Sequence, residues 1–245
     1  MPRRREPPLR RIGLFGGTFD PPHLGHLALA EWARERLGLD HVLFVPAGRP
    51  PHKRGARLSS AAARVAMTRL AVRGNPAFRL STIEVRRGGP SFTVDTLRAL
   101  RARHAGARLF LIMGEDSLDD FATWREPAAI ARLATLAVAR RPGAVGSVAK
   151  GRAAAEGRVR EAGGGASEAQ NTSQAVAASP ASRTRPTGLV ASTRPQIVWL
   201  DNPGIELSSS AVRDRARAGR SIRYLVPDAV AVFVARRRLY RRGAR

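Results

Sequence analysis

Residues 12–29 constrain the fold more than any other stretch of this chain. A short apolar run, Ile12 to Phe15, stops at Gly16-Gly17. Pro21 and Pro22 then hold a turn, and two histidines follow, His23 and His26, split by Leu24-Gly25. After them the pattern becomes helical, with Leu27, Ala28, Leu29, Ala30, Trp32 and Ala33. The spacing predicts a strand, a glycine turn and a helix whose first turn carries both imidazoles on one face. A helix N-terminus leaves backbone N–H groups unpaired and carries partial positive charge, so it attracts phosphate. Imidazoles there add donors without a large fixed charge. The bland alternatives are a core histidine and a metal ligand. The pairing after a Gly-Gly turn argues against the first, and the lack of an obvious acidic cage around Asp20 and Glu31 against the second. The stretch is not the dinucleotide fingerprint, because GLFGGT lacks the G-x-G-x-x-G spacing.

Further along, strand and helix patterns alternate. Apolar runs at 11–15, 41–45, 108–113, 134–139 and 196–200 read as buried strands, and 78–85 as a strand by alternation. Helical spacing covers the stretch up to Leu37 with Gly38 as its stop, 61–72 behind Ser60, 91–104, a short 127–131, a helix after the serines at 208–210 ending at Gly219, and 228–239. This order predicts an α/β fold with a doubly wound parallel sheet, whose ligands sit at the carboxyl ends of the strands. Residues 1–10 read as a basic arm, 11–143 and 196–240 as one domain, and 241–245 as a basic tail. The segment 144–195 is Ala, Gly, Ser, Thr and Arg without an aromatic residue, too poor in apolar area to offset ordering entropy, and is expected to be a disordered insertion.

Composition narrows the chemistry. The chain has no cysteine, which excludes disulfides, thiolate nucleophiles and zinc–thiolate sites. No stretch is apolar for long enough to span a bilayer, and no signal-peptide core follows the basic start, so a cytoplasmic location and no membrane partner are expected. The net charge of +24 favours anionic partners. Without an RNA-binding aromatic motif or a zinc-finger spacing, nucleotides are a better match than a specific nucleic acid.

The H-x-G-H motif behind GGTFDP resembles the nucleotidyltransferase superfamily with a Rossmann-like fold, and the ELSSSAVRD segment is similar to its second signature. VPAGRPPHK, SFTVDTL, MGEDSLDDFATW and RRPG resemble bacterial nicotinate-nucleotide adenylyltransferases. The resemblance implies transfer of the AMP unit of ATP to nicotinate mononucleotide, with Mg2+ accompanying ATP and no covalent intermediate. Such chemistry needs two polyanions held in line and the growing charge neutralised. The alternatives are nicotinamide mononucleotide or phosphopantetheine as acceptor, or a non-catalytic nucleotide- or nucleic-acid-binding protein.

By resemblance His23 and His26 contact the ATP phosphates, with His26 the main transition-state stabiliser, and Arg213 adds donors for the leaving pyrophosphate. Gly16, Gly17 and Thr18 let backbone approach the nucleotide, Phe19 packs beside it, and Gly114 precedes Asp116, which accepts from a ribose hydroxyl or simply caps a helix. Ser208, Ser209 and Ser210 meet the β- and γ-phosphates at a helix start. For the mononucleotide the matches are Lys53, Thr93, Trp124 and Arg140, with Trp124 the platform for the pyridine ring or else a core tryptophan. Lys53 reads equally as a solvated loop charge. Phe92 stands where a tyrosine is commoner, Leu207 and Val212 where isoleucines are, and Glu115 where small residues are, the last expected to face solvent.

Overall fold

A computed structural model of the chain describes residues 11–51, 55, 57–140, 195–202 and 204–241. The basic arm, Lys53, the insertion up to residue 194 and the tail beyond Arg241 lie outside the described residues. All described residues belong to one compact unit.

The strands are β1 (Arg11–Gly17), β2 (His41–Pro46), β3 (Phe78–Leu80), β4 (Arg108–Gly114), β5 (Thr135–Ala139) and β6 (Ile197–Leu200). They form one parallel sheet in the order β3-β2-β1-β4-β5-β6. This is the doubly wound order, and it reverses direction between β1 and β4, so the crevice for a ligand opens beyond the end of β1. The helices are α1 (Leu24–Leu37), α2 (Ala61–Val72), α3 (Ile83–Arg87), α4 (Thr93–Arg103), α5 (Glu115–Asp119), α6 (Pro127–Leu133), α7 (Ser209–Arg217) and α8 (Asp228–Arg236).

Period-two alternation in the central strands builds a core on each sheet face. Ile12, Leu14, Leu109, Leu111, Leu136 and Val138 pack with Val94, Leu97 and Leu100 of α4 and Ile130 of α6. Phe15, Phe44, Phe110, Ile112 and Ala137 pack with Ala30, Ala33 and Leu37 of α1. Gly13 lies on that second face, where a Cβ would come within 2.8 Å of Leu39 and 3.0 Å of Ile112. A third cluster joins Met67 and Ala71 of α2 to Val212 of α7 and Val230 and Val234 of α8. That cluster anchors the second signature segment to the body of the fold.

Two helix ends match their sequence signals. Gly38 closes α1 in the left-handed region (φ 55°), donating to the carbonyls of Arg34 and Glu35. Ser60 caps α2 by accepting from the amide of Ala63. One expectation needs correction: 78–85 is not a single strand. The ladder ends where the Ser81 amide donates to the Phe44 carbonyl, and α3 begins at Ile83. The apolar phase slips between Leu80 and Ile83, and the Glu84 side chain turns inward to accept from the Thr96 hydroxyl at 2.7 Å. Helix α8 also stops earlier than 239, at Arg236, with Phe233 only half-buried.

Candidate nucleotide site

Strand β1 ends in the glycine pair, and the two glycines do different work. Gly16 is exposed, and a Cβ there would meet nothing within 4 Å, so its backbone is open to an approaching ligand. At Gly17 a Cβ would lie 3.0 to 3.2 Å from the Phe19 ring. Phe19 adopts a left-handed backbone (φ 49°) and is 2% exposed. Its ring packs between Phe15, Phe44 and His26, with centroids 5.7, 5.7 and 5.2 Å away. The expected place of Phe19 beside the nucleotide is therefore corrected: almost no surface is left to touch a ligand, and its ring supports His26 from behind.

The two histidines do not share a helix face. His23 is the N-cap of α1, with extended backbone (φ −134°, ψ 170°), and His26 is the third helical residue. The cap geometry folds one ring onto the other, with centroids 3.6 Å apart and planes 29° apart. The His23 amide donates to Nδ1 of His26 at 3.1 Å, which leaves the proton of neutral His26 on Nε2. His23 is 6% exposed, and its Nδ1 is buried with no hydrogen-bond partner among the described residues. Burial pulls its pKa down from 6.5 to about 4, so the ring is neutral at pH 7. Gly25 leaves space beside the stack: a Cβ there would lie 3.1 Å from His23 Nδ1, tighter than an ordinary contact.

The second motif meets the first directly. Ser208 caps α7, its hydroxyl accepting from the Ala211 amide at 3.1 Å and lying 3.1 Å from the Ser210 hydroxyl. Ser209 and Ser210 occupy the first helical positions, whose amides a helix leaves without internal partners. The Ser209 hydroxyl donates to the Pro21 carbonyl at 2.9 Å. Arg213 donates through Nη1 to the Asp20 carbonyl at 2.9 Å. Of the serine triplet expected on phosphate, one member thus caps the helix, one ties the motifs together, and Ser210 is exposed.

A cleft of about 260 Å³ opens at this junction. Its walls include His23, His26, Gly114, Glu115, Asp116 and Arg140. Glu115 is half-buried and forms part of the wall, which corrects the expectation that it faces solvent. As the first residue of α5 it follows β4 directly, so it stands over the sheet's carboxyl edge. Arg140, expected on the mononucleotide, stands in the same cleft as the histidines, its amide donating to the Asn202 side chain at 3.0 Å. Thr18 is half-buried, and its carbonyl is bound by Arg64.

Thr93 and Trp124 lie away from that cleft. Thr93 is the first residue of α4, and Trp124 follows a single 3-10 turn, half-buried, its ring 5.7 Å from Phe121. Phe92 and Trp124 both pack on the α4-side core. Sequence reasoning missed Arg64, Asp20 and Tyr240. Arg64 had a signal: it stands in register with Met67, Thr68 and Ala71 on the buried stripe of α2, where an uncompensated charge is not expected.

Among the described residues no cluster of three His, Cys, Asp or Glu is placed to hold a metal, and no helix is long and apolar enough to cross a membrane.

The likenesses to known proteins cover nearly all of the chain. Residues 14–215 match the cytidylyltransferase-like family. A protein of Thermomicrobium roseum, described as "Probable nicotinate-nucleotide adenylyltransferase", is 42% identical over 95% of this chain and 92% of its own. A Salinibacter ruber protein of the same description is 40% identical over 94% and 97%. In fold the chain is similar to a Plasmodium falciparum nicotinic acid mononucleotide adenylyltransferase complexed with NaAD, with a TM-score of 0.65, 14% identity, and coverage of 94% of this chain and 97% of that one. With identity at this level along nearly its whole length, and with both signature segments meeting at one cleft, the chain belongs to the cytidylyltransferase-like family and, within it, to the nicotinate-nucleotide adenylyltransferases.

Proposed function

We propose that the chain transfers the adenylyl group of ATP to nicotinate mononucleotide, giving nicotinate adenine dinucleotide and pyrophosphate, as a step of NAD biosynthesis in the cytoplasm. One observation carries the reading. The Ser209 hydroxyl and the Arg213 guanidinium seize the backbone carbonyls of Pro21 and Asp20, so two motifs far apart in sequence close one clamp beside the paired imidazoles.

In the proposed reaction a phosphate oxygen of the mononucleotide attacks the α-phosphorus of ATP. One P–O bond forms there, the bond to the β-phosphate oxygen breaks, and pyrophosphate leaves with the electron pair. No protein proton has to move, so the groups act by holding and neutralising charge. His26, donating from Nε2, faces the charge that grows on the transferring phosphate. His23, neutral and stacked on it, fixes that ring and forms part of the same cleft wall. The first amides of α7, with Ser208, Ser209 and Ser210 around them, receive the β- and γ-phosphates. Arg213 places positive charge beside the leaving group. Gly16 and Gly114 leave room for the nucleotide, Gly17 leaves room for the Phe19 ring, Thr18 and Phe19 shape the loop behind it, and Asp116 accepts from the ribose. Magnesium enters on ATP as part of the substrate. Lys53, Thr93, Trp124 and Arg140 remain the proposed mononucleotide contacts, and Arg140 is the one that the described cleft already contains.

The test is pyrophosphate release from ATP and magnesium with nicotinate mononucleotide, nicotinamide mononucleotide and phosphopantetheine in parallel. Turnover is expected with the first. Release only with phosphopantetheine, or with none of the three, would overturn the assignment.

A further inference from the structure

The loop between the two motifs is gripped from behind by a guanidinium that neither motif contains. Arg64 is 2% exposed on α2. Its Nε donates to the Ser59 carbonyl at 3.1 Å, and Nη2 to the Gly48 carbonyl at 3.0 Å. Nη1 donates to the carbonyls of Thr18, at 3.0 Å, and Ala47. Beside it, Asp20 is 1% exposed. The Asp20 carboxylate accepts from the Ser59 amide at 3.0 Å and from the Tyr240 hydroxyl at 2.7 Å.

On the front of the same loop, the carbonyls of Asp20 and Pro21 receive Arg213 and Ser209. The carbonyls of Thr18, Asp20 and Pro21 are thus each bound by a different side chain, one from α2 and two from α7. A charge in this position is not neutral filler. A methionine would suit the buried stripe of α2, whereas a buried guanidinium is tolerated only while its donors stay satisfied. That requirement draws 18–20, 47–48 and 59 into one arrangement. A planar fork with fixed donors sets it more tightly than a flexible ammonium could.

We propose that Arg64 is a positioning residue for the adenylyl-transfer site, acting with Asp20 and Tyr240 to hold loop 18–22 so that Ser209 and Arg213 present the start of α7 to the triphosphate in one geometry. The proposal rests on the function proposed above. Arg64 itself touches backbone and not substrate.

The experiment compares the full chain with Arg64→Lys, Tyr240→Phe and a control, Val72→Ala, which loosens α2 where it packs on the sheet, in a core that contains neither Tyr240 nor Val212, and leaves the loop's hydrogen bonds in place. The first readout is amide hydrogen exchange without substrate, below the unfolding range. Arg64→Lys is expected to speed exchange in segment 205–214 more than the control does at matched stability. The second readout is kcat against KM. Arg64→Lys is expected to lower kcat on the order of tenfold, with the KM for the mononucleotide unchanged. Combined with Arg213→Lys, it should cost less than in the wild type, because both act through one loop. Tyr240→Phe removes a single hydroxyl and should show the same pattern more weakly; it carries the test if Arg64→Lys does not fold. Exchange in 205–214 that matches the control, or a wild-type kcat, would overturn the proposal. If the wild type transfers no adenylyl group, the function fails, and the exchange arm still decides whether Arg64 holds the second motif.

Discussion

Protonation of His23 should cost this fold stability, and the size of that cost follows from its burial. The ring is 6% exposed, with Nδ1 enclosed and without a partner among the described residues. Burial pulls its pKa from 6.5 to about 4. Between those values the unfolded chain binds a proton that the folded chain refuses. Stability is therefore full above 6.5, falls as pH drops through the window, and levels off below 4. Each pKa unit is worth about 1.4 kcal/mol, so the whole loss attributable to this ring is on the order of 3 kcal/mol. His23→Asn isolates it. Asparagine is neutral at every pH and is itself a good helix N-cap. Urea unfolding of both proteins from about pH 7.5 to 4 would show the gap between them shifting by about 3 kcal/mol in favour of the variant. Comparing the two cancels opposing groups such as Glu84, whose pKa is raised, chiefly by burial. A gap that stays constant across the range would refute the reasoning, as would an NMR titration of folded His23 centred near 6.5.

Three further substitutions test the division of labour at the site. His26→Ala should lower kcat by a hundredfold or more, the order found when a transition-state donor is lost, and near-normal turnover in steady-state assays would exclude that role. Gly17→Ala would push a methyl to 3.0 Å from the buried Phe19 ring, which in turn backs His26. Overpacking of this kind costs about 1 to 3 kcal/mol, so thermal unfolding should move down and kcat should fall with it; an unchanged melting curve would show that the ring has room to give. Trp124→Ala should raise the KM for the mononucleotide on the order of tenfold, the scale of losing a base–aromatic stack, while the KM for ATP stays unchanged. A rise in the ATP value instead would place Trp124 in the other half of the site.

Much of the sheet is legible because both faces of the central strands are buried. In β1 and β4 one set of alternate residues feeds each core, and the apolar runs that result are hard to mistake. The edge is less legible. Phe78 and Leu80 are strand-like, and then the phase slips and Glu84 turns inward to Thr96, a tertiary contact that local pattern does not carry. The histidine pair shows the same limit at the site. A three-residue spacing places two imidazoles near each other, but helix periodicity alone puts both on one face. The stack arises because His23 stands outside the helix as its cap. The meeting of Ser209 with Pro21, and of Arg213 with Asp20, depends on where α7 packs, which is set by Val212 against Met67 and Val230, two residues outside both motifs.

Motif letters in this fold thus mark two kinds of residue that sequence spacing treats alike. His26, Glu115 and Asp116 line the cleft, and Gly16 is exposed. Gly17, Phe19 and Ser209 face other parts of the protein. The second kind are needed because an in-line transfer tolerates little misplacement of the phosphate-holding groups. A loop whose carbonyls were left to water would sample several arrangements of those groups. Binding the Thr18, Asp20 and Pro21 carbonyls from two sides removes that freedom before ATP arrives. On this view, losses among the inward-facing residues should fall mainly on kcat, since what they set is the alignment reached in the transition state rather than the contacts that first hold the substrate.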